Sequence, residues 1–497
     1  MKLLSTIALL IYTSGLTYAQ DLPGKRDSIY SEALKEKRII QVLLPKEYKS
    51  EPNSKYDVAY LLDGEDNITL LAQIQQFAQK EKQVPPLIIV AICNTNRSRD
   101  FTPTPLKKIP LSGGAANFLS FLKTELVPYI NKTYPVNGEN ILCGHSLGGL
   151  FSMYTLLSES QLFSSYILAD PSFWYDGDYT NKLAIQKLGT LSGLKKTLYI
   201  SGREGDMQEM GISSLDSVLK LHAPKDLLCK VVAYENENHG SVKLKSMYDG
   251  LRLVYAGYKR KDEPISYRPM NGIVLKGKPY VVQNFSSLPD IRFTTDGSIP
   301  IPTSAKMERE NMFSGPVQLN IKSFNRKAAY DKLAKGKFIL GEAITPVPAS
   351  DKFSPGGVSY QYFEGKWDSI PNFKKLKPSQ VGIANKDFNF SKLPSKTNFA
   401  LLFEGRLEVK EDGYYTFVID ADDGAKFYLK NKLLIDYDGT HGNRTSQTFL
   451  VPLKKGFYPI RLEYFQKDKG MDLRLKYLIP GSKEPIDIPT ELLYSTK

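Results

Sequence analysis

Cysteine is scarce in this chain of 497 residues, which contains three: Cys93, Cys143 and Cys229. An exported chain could oxidise cysteines in pairs, but an odd number with this spacing matches no disulfide framework and no zinc site. Cys93 and Cys143 each end an apolar run that is typical of a strand. Because free cysteine packs as a small hydrophobic residue, we expect buried core thiols and no redox centre.

Long apolar runs are missing after the first residues of the chain. The N-terminus has one positive charge at Lys2, a short apolar run from Leu3 to Leu16 and small residues up to Ala19. This pattern is typical of a cleavable export signal, and the run is too short and too polar for a transmembrane anchor. No cysteine follows the cleavage point, which argues against a lipid anchor. We expect a signal peptide at 1–19 and a secreted or periplasmic protein with no membrane anchor after cleavage.

Concentrated positive charge is also absent. The formal net charge is +13, but the lysines and arginines are spread along the chain and form no long basic run or nucleic-acid motif. This distribution predicts a solvated basic surface and no nucleic-acid partner. At most it favours an anionic polysaccharide.

The chain is longer than one hydrophobic core usually organises, which predicts several domains. From Ile39 to about Tyr258, short apolar β-branched runs alternate with helical patterns, which predicts a mostly parallel sheet with helices on both faces. After Lys259 the helical periodicity stops, and the all-β patterns that follow are interrupted by a segment rich in Pro, Ser and Gly at 346–357. The predicted segments are a signal peptide at 1–19, an α/β domain at 20–262, a small β-sandwich at 263–350 and a second β-sandwich at 351–497.

The sharpest motif is Gly144-His145-Ser146-Leu147-Gly148-Gly149, between a predicted strand at Ile141–Cys143 and a predicted helix at Leu147–Leu157. Glycines two positions before and after the serine permit a tight turn in which larger side chains would collide. Such a turn raises the hydroxyl above the sheet and directs the helix N-terminus at a developing negative charge. Ser146 is therefore the predicted nucleophile.

A serine nucleophile needs an adjacent base, and the chain has four histidines. Three of them are poorly placed: His145 lies inside the turn itself, His222 follows a predicted helix, and His441 lies in the C-terminal β region. His239 remains, in a polar loop directly after the predicted strand Lys230–Tyr234. We expect His239 to be the general base.

Several acids could orient the imidazole of His239 and stabilise its imidazolium form. The predicted strand Thr197–Ser201 is followed by Glu204 and Asp206, which would lie at the carboxyl end of the strand before that of the histidine. In order of preference the candidates are Glu204, Asp206 and Asp176. Asp176 belongs, together with Asp170, to a fallback pair that follows an earlier strand.

An oxyanion needs two preorganised N–H donors. Leu147, directly after the nucleophile, supplies one by its position. The second is expected from the loop after the predicted strand Val58–Leu62, where Asp63-Gly64-Glu65 allows the backbone to approach closely. We name Glu65 as this donor, with Gly64 and Asp66 as alternatives.

Taken together, these motifs resemble the branch of the α/β-hydrolases that contains esterase D, enterochelin esterases, feruloyl esterases and mycolyltransferases. The resemblance covers roughly residues 25–258. Its carriers are Tyr60–Gly64, Asn94–Pro103, Gly144–Gly149, Pro171–Trp174 and Asn238–Ser241. It implies an α/β-hydrolase fold and ester hydrolysis through an acyl-enzyme, with no cofactor and no metal. Within these motifs the segment Arg97–Asp100 is read as a loop ion pair or as part of the pocket wall, and Trp174 as a pocket-lining residue or a buried aromatic.

The C-terminal β regions carry two further resemblances. Residues 264–345 resemble the small β-domain at the end of chitobiases and hexosaminidases, through Ile291–Ser298. Residues 358–497 resemble the β-sandwich module first seen in anthrax protective antigen, through Gly413–Phe417, Asp420–Tyr428 and Gly456–Tyr464. In some yeast adhesins of that family, paired aspartates like Asp422 and Asp423 bind calcium and sugar; a turn held by Asx hydrogen bonds is the alternative here.

We therefore expect a secreted serine carboxyl-esterase that acts on acetyl or feruloyl esters of an extracellular glycan, held near its polymer by the β modules. One alternative is hydrolysis of siderophore lactones of the enterochelin type. Another is a glycan-binding adhesin with an inert hydrolase domain. Acyl transfer to a sugar instead of water would use the same acyl-enzyme.

Overall fold

The computed structural model describes residues 23–191, 195–258, 263–288, 290–385, 393–443, 445–468 and 470–496. The predicted signal peptide at 1–19 lies outside these ranges. The chain divides into two compact units, Met1–Tyr258 and Lys259–Lys497, here called the N-terminal unit and the C-terminal unit. No helix within the described ranges is long and apolar enough to cross a membrane.

The N-terminal unit is built on one mixed sheet in the order β1-β2-β4-β3-β5-β6-β7-β8. β1, β2 and β4 pair antiparallel, and the strands from β4 to β8 pair parallel. Every residue of β3, β4 and β6 is buried, as expected for continuous apolar runs in a sheet covered on both faces. The strands are β1 Lys25–Ser31, β2 Glu36–Leu43, β3 Tyr56–Leu61, β4 Leu87–Ile92, β5 Val136–His145, β6 Ser165–Ala169, β7 Thr197–Arg203 and β8 Leu228–Tyr234.

Helices cover both faces of this sheet. On β6, Tyr166 and Leu168 belong to the core cluster that also contains Phe151 of α5, whereas Ile167 between them lies against Gly250 of α8. The predicted α/β-hydrolase fold is therefore confirmed. The helices are α1 Gly64–Lys80, α2 Arg97–Phe101, α3 Ala115–Phe121, α4 Val127–Thr133, α5 Leu147–Ser158, α6 Tyr175–Lys187, α7 Ile212–His222 and α8 Val242–Val254, with a π-helical turn at Leu122–Leu126 between α3 and α4.

The order of the strands reverses at β3, which has β4 on one side and β5 on the other. Ligands of open α/β sheets bind beyond the carboxyl ends of the strands at such a switch point. Here those ends are followed by Asp63 and by Ser146. The fold therefore brings the two loops that the sequence singled out to one edge of the sheet.

The C-terminal unit is all β in its described residues. One sheet follows the order β13-β12-β15-β16-β10-β24-β21-β26-β27, a second contains β17 to β20, β22, β23, β25 and β28, and a third is β14-β11-β9. The strands are β9 Tyr267–Arg268, β10 Asn271–Val274, β11 Tyr280–Asn284, β12 Ile291–Thr294, β13 Ala305–Lys306, β14 Glu310–Phe313, β15 Val317–Ser323, β16 Leu333–Leu340, β17 Phe353–Pro355, β18 Val358–Glu364, β19 Gln380–Ala384, β20 Phe399–Val409, β21 Gly413–Asp422, β22 Ala425–Leu429, β23 Lys432–Tyr437, β24 Gln447–Leu453, β25 Gly456–Gln466, β26 Asp472–Leu478, β27 Ile486–Asp487 and β28 Leu493–Thr496.

The two β-sandwiches expected at 263–350 and 351–497 share the first of these sheets. β10 pairs parallel with β16 on one side and with β24 on the other. Leu450 of β24 packs in the core cluster of the earlier segment, and Ile273 of β10 packs in that of the later one. The two segments thus form one compact unit, and their division into separate domains stays a prediction.

The turn after β21 holds the paired aspartates. Asp423 Oδ1 accepts a hydrogen bond from His441 N at 3.0 Å, and its Oδ2 accepts one from Lys467 N at 2.8 Å. Burial, together with the neighbouring charge of Asp423, raises the pKa of Asp422. The carboxylate of Asp423 therefore links its own turn to two other loops. Within the described residues, no group of three or more His, Cys, Asp or Glu side chains is placed to hold a metal ion.

Candidate active site

Ser146 occupies the strained turn between β5 and α5. Its φ of 58° and ψ of −118° lie outside the regions that side chains normally adopt, and such strain is typical of functional turns. A Cβ on Gly144 would lie 2.3 Å from Gly148 O, and a Cβ on Gly149 would lie 2.7 Å from Pro171 Cβ. These close approaches explain the glycines at 144 and 149, whereas a Cβ on Gly148 would come no closer than 3.3 Å to Asp63 Oδ2. The local geometry is that of the strand-to-helix turn expected from the sequence.

His239 lies in the loop between β8 and α8. Its Nδ1 atom is 2.7 Å from Asp170 Oδ2, and its ring centroid is 4.4 Å from that of His145, the residue before Ser146. The side chain is 44% exposed, so one edge of the imidazole remains open to a substrate. The structure thus places His239 against the residue that directly precedes the predicted nucleophile.

The acid that contacts His239 is Asp170, and this corrects the expected order of candidates. Asp170 follows β6 directly, with a φ of 42°, and its side chain is fully buried. Glu204 is exposed on a short 3-10 helix after β7, and Asp206 pairs with Arg203 instead. The preferred acids therefore lie one strand too far along the sheet. Asp176, the third choice, accepts a hydrogen bond from Thr104 Oγ1 at 2.6 Å.

Asp170 is held as a carboxylate by its neighbours. Burial alone would raise its pKa, but hydrogen bonds from His239 and from Arg203 Nε, the latter at 2.6 Å, and the charge of Arg203 lower the pKa below its ordinary value. A buried carboxylate on Nδ1 keeps that nitrogen protonated and leaves Nε2 as the basic atom. This is the arrangement that a general base requires.

His145 has a structural role that the sequence did not indicate. Its Nε2 atom is 2.7 Å from the carbonyl oxygen of His239, to which the neutral imidazole can donate. Burial, assisted by repulsion from His239, lowers the pKa of His145 to about 4. The ring of His145 therefore supports the loop that carries His239. His222, at the exposed end of α7, and His441, in the C-terminal unit, are not part of this arrangement.

A second hydroxyl contacts the nucleophile. Ser172 is buried, its Oγ is 3.1 Å from Ser146 Oγ, and its N–H donates to Ser146 O at 3.1 Å. The motif Pro171–Trp174 contained this residue, but nothing in the sequence indicated the contact. Trp174, 44% exposed, precedes α6, so its place in an acyl pocket stays a prediction.

The two predicted oxyanion donors lie in the first turns of two helices. Leu147 is the first residue of α5, where the first intrahelical bond runs from Leu150 N to Ser146 O. Glu65 is the second residue of α1, where the first intrahelical bonds run from Asp66 N and Asn67 N to Asp63 O. N–H groups in these positions have no partner within their own helix and are available to an anion. Their assignment as the oxyanion hole stays a prediction.

The segment Arg97–Asp100 was expected to form a loop ion pair or part of the pocket. Arg99 pairs with Glu36 and Asp100, and Asp100 also pairs with the buried Arg38. These ion pairs confirm the first expectation for the end of the segment. Arg97, at the start of the segment, points elsewhere: it donates hydrogen bonds to the Asp63 carboxylate and to the carbonyl oxygen of His145, the residue before Ser146.

The fold and the geometry of this site define an α/β-hydrolase. Residues 31–208 match the model of the family described as Putative esterase, and residues 357–491 match that of the PA14 domain. The chain thus carries an esterase-family domain followed by a PA14 domain, as the resemblances of both regions implied. The chitobiase-like reading of residues 264–345 stays a prediction.

Several known proteins are similar to the N-terminal unit. The chain is 30% identical over 189 residues to the ferri-bacillibactin esterase BesA of Bacillus subtilis, covering 34% of this chain and 65% of that protein. It is 28% identical over 212 residues to the apo-salmochelin esterase of Escherichia coli, covering 38% of this chain and 66% of that protein. The match thus spans just under two thirds of each curated relative. Among solved structures, the IroE-like serine hydrolase from Shewanella oneidensis is 33% identical, with 46% of this chain and 79% of that chain covered and a TM-score of 0.44.

Proposed function

We propose that this protein is a serine carboxyl-ester hydrolase that works through an acyl-enzyme. The observation that carries the proposal is the 2.7 Å contact between His239 Nδ1 and the buried Asp170, beside a serine on a strained turn. This pairing gives His239 a basic Nε2 on the side of the ring away from Asp170. A positioned base of this kind is what an unactivated serine lacks.

In the acylation step, Ser146 Oγ attacks the ester carbonyl carbon while its proton passes to His239 Nε2. The carbonyl oxygen becomes an oxyanion, for which the N–H groups of Leu147 and Glu65 are the proposed donors. The intermediate collapses, the bond to the alcohol oxygen breaks, and His239 returns the proton to the leaving alkoxide. A water molecule, deprotonated by His239, then attacks the acyl carbon. The bond from that carbon to Ser146 Oγ breaks, His239 returns the proton to Ser146 Oγ, and the acid leaves.

The substrate class that we favour is the ester bonds of a siderophore, including cyclic lactones. The support is the kind of relative that the N-terminal unit matches, since BesA and the apo-salmochelin esterase are both named for siderophore esters. This choice reverses the order of the two readings derived from the sequence, in which a glycan ester came first.

Ester substituents of a glycan are the second candidate. The observation that favours them is the PA14 match at 357–491, because modules that resemble it accompany glycan-active enzymes. A glycan-binding C-terminal unit would raise the effective concentration of ester near the active site. An adhesin with an inert hydrolase domain fits the intact Ser146–His239–Asp170 arrangement less well. Export to the periplasm or the exterior, with an extracellular partner, is part of this proposal and rests on residues 1–19.

The test is to measure hydrolysis by the purified mature chain of three substrates: an enterobactin-type trilactone, a feruloyl nitrophenyl ester and a nitrophenyl acetate. Ser146→Ala should abolish all hydrolysis. Ser158→Ala, an exposed serine at the end of the same helix, is the matched control and should behave as the parent chain does.

The preferred substrate then decides between the candidates. A kcat/KM for the trilactone well above that for the other esters, with stepwise linear products by mass spectrometry, would support siderophore hydrolysis. Preference for feruloyl or acetyl esters would transfer support to glycan esters. Absence of Ser146-dependent hydrolysis of every ester, with folding verified by circular dichroism, would refute the proposed activity.

A further inference from the structure

A cleft of about 350 Å³ lies within the C-terminal unit and shares no residue with the candidate active site. Its walls come from the segment 263–268, which leads into β9, from the turn at 285–288 after β11, and from 445–448, where β24 begins. The volume lies at the lower end of the range of about 300–1,000 Å³ for small-molecule sites, so it suits a sugar ring better than a large ligand. The paired aspartates Asp422 and Asp423 are not among the residues that line the cleft.

Arg268 supplies the positive charge of the cleft. Its side chain is 12% exposed, and its Nη2 donates to Gln283 Oε1 at 3.2 Å and to Lys483 O at 2.7 Å. No described residue accepts a hydrogen bond from Nε, which is buried, or from Nη1. The guanidinium is thus held in place through Nη2, and the donors of Nη1 remain for a ligand.

The charge of Arg268 is only partly compensated. The one ion pair that it forms with a described residue is to Glu484, with 3.7 Å between Nη2 and Oε2, and the Glu484 side chain is 79% exposed. Burial lowers the pKa of Arg268 more than this carboxylate raises it. A cation that is largely removed from water, beside a solvated partner, gains from an anion that enters the cleft.

Hydroxyl groups line the cleft on all of its walls. Those of Ser266, Ser287 and Thr445 bond to no other described residue. A hydroxyl group both donates and accepts, so these side chains match a ligand that itself carries hydroxyl groups.

Phe285 gives the cleft an aromatic surface next to the cation. Its side chain is 41% exposed, so part of the ring is open to a ligand. The Cζ atom of Arg268 lies 4.8 Å from the centroid of this ring. An anion with an apolar face could therefore contact the ring and the guanidinium together.

We propose that this cleft binds a uronic acid residue of an acidic polysaccharide. Arg268 binds the carboxylate, Phe285 contacts the apolar face of the sugar ring, and Ser266, Ser287 and Thr445 bond to the ring hydroxyl groups. The inference goes beyond the proposed function, because it concerns the C-terminal unit and holds whichever ester the N-terminal unit cleaves.

A phosphate group is the competing anion, because arginine binds it with similar geometry. The charges of the cleft favour the carboxylate. Arg268 is the single lysine or arginine among the described residues that line the cleft, and Glu263 adds a negative charge to its wall. A carboxylate balances the charge of Arg268, whereas a phosphate dianion would add excess negative charge beside Glu263. The Glu263 carboxylate can also accept hydrogen bonds from sugar hydroxyl groups.

The experiment measures binding of methyl glycosides to the full mature chain by saturation-transfer NMR. The probes are the methyl glycosides of glucuronic and galacturonic acid, and their controls are those of glucose and galactose, which have a hydroxymethyl group in place of the carboxylate. At least one of the two uronides should bind saturably and about tenfold or more tightly than its neutral counterpart, because hydrogen bonds to charged groups are the strong ones. An equal concentration of inorganic phosphate should not displace it.

Three variants assign the binding to the cleft. Arg268→Gln should lower the affinity for the uronide to that for the neutral glycoside. Lys432→Gln is the matched control, because it removes one exposed positive charge from β23 of the same unit, and it should bind as the parent chain does. Phe285→Leu changes an exposed ring without changing charge, and it should weaken binding of the uronide by about 2- to 10-fold. Circular dichroism verifies that each variant folds.

Four results would overturn the inference. They are the absence of saturable uronide binding by the parent chain, equal affinity for a uronide and its neutral counterpart, equal losses in Arg268→Gln and Lys432→Gln, and displacement of the uronide by equimolar phosphate. The third result would mean attraction to the basic surface as a whole, and the fourth would mean a site for small anions in general. If Arg268→Gln does not fold, Phe285→Leu decides: weaker uronide binding supports the cleft, and unchanged binding overturns it.

Discussion

At the scale of single residues, Asp170 combines burial with two cationic or potentially cationic partners, His239 and Arg203. We predict that Asp170→Asn lowers kcat by about 10⁴-fold, because an amide that donates to Nδ1 would fix the imidazole in the wrong tautomer. Glu204→Gln, the acid preferred from the sequence, should leave kcat near that of the parent chain. The measurement is steady-state hydrolysis of a nitrophenyl ester at neutral pH. A large loss in Glu204→Gln with a small loss in Asp170→Asn would reverse the assignment.

His145 should make the stability of the N-terminal unit dependent on pH. Its pKa of about 4 in the folded chain lies below the ordinary value of 6.5, so between these values the unfolded chain binds a proton that the folded chain does not. The free energy of unfolding that comes from keeping His145 neutral is fully present above pH 6.5. It is lost as the pH falls towards 4, by about 3 kcal/mol in total. His145→Gln, which does not titrate, should therefore lose less stability between pH 7 and pH 4.5.

The measurement uses urea unfolding followed by tryptophan fluorescence. The chain has two tryptophans, so a Trp367→Phe background leaves Trp174 as the reporter of the N-terminal unit. His222→Gln, an exposed histidine at the end of α7, is the matched control and should follow the parent chain. An equal pH dependence in His145→Gln and the parent chain would contradict the prediction.

Ser146 and His239 were named directly from the sequence, whereas Asp170 was named only as a fallback for the acid, and the difference is one of numbers and topology. Four histidines leave few alternatives for a base, but 53 acidic residues leave many for the acid. The sequence places an acid at the end of a strand without fixing which strand end faces the histidine. That choice depends on the turn at Asp170 and on Arg203, which holds the end of β7 against β6.

At the scale of elements, the turn between β5 and α5 depends on close packing of backbone on backbone. We predict that Gly144→Ala destabilises the N-terminal unit by about 1–3 kcal/mol or more and abolishes hydrolysis, because the added Cβ would meet Gly148 O at 2.3 Å. Gly205→Ala is the control, since its Cβ would meet no described heavy atom within 4 Å. Unfolding in urea and ester hydrolysis measure the two effects. A stable, active Gly144→Ala would show that the turn can relax.

The strands β3, β4 and β6 of the N-terminal unit were predictable because they are buried on both faces and therefore appear as short apolar runs. β3 and β8 lie within two residues of the strands expected at Val58–Leu62 and Lys230–Tyr234, and the helix expected at Leu147–Leu157 is present as α5. Less predictable was α2, which has five residues and whose first turn is capped by Asn96. Contacts that cross between loops, such as those of Arg97, leave no periodic signal in the sequence.

At the scale of the whole molecule, the sequence separated two β regions that the structure joins. The segment 346–357 has the composition of a linker between independent domains. The segments on either side of it nevertheless share one sheet, in which β10 lies between β16 and β24. Tyr414 Oη accepts a hydrogen bond from Leu275 N at 2.8 Å, and Thr448 Oγ1 accepts one from Met270 N at 2.8 Å. Pairing between strands so distant along the chain cannot be read from composition.

This shared sheet predicts how the chain responds to proteolysis and to truncation. In the full chain, limited proteolysis should separate the N-terminal unit from the C-terminal unit but should yield no stable fragment that begins within 346–357.

Removal of 351–497 takes away β24 and leaves one side of β10 without its partner strand, while Ile273 loses the core in which it packs. Unpaired edges and exposed apolar side chains destabilise such a remnant, so 263–350 should be degraded in the truncated chain. The surviving core, ending near 258, should keep Ser146-dependent hydrolysis of nitrophenyl acetate, because Ser146, His239 and Asp170 all lie within the N-terminal unit. Mass spectrometry of the fragments and the activity of the core test both parts, and a protease-resistant chain ending at 350 would contradict the single-unit reading and restore two independent β domains.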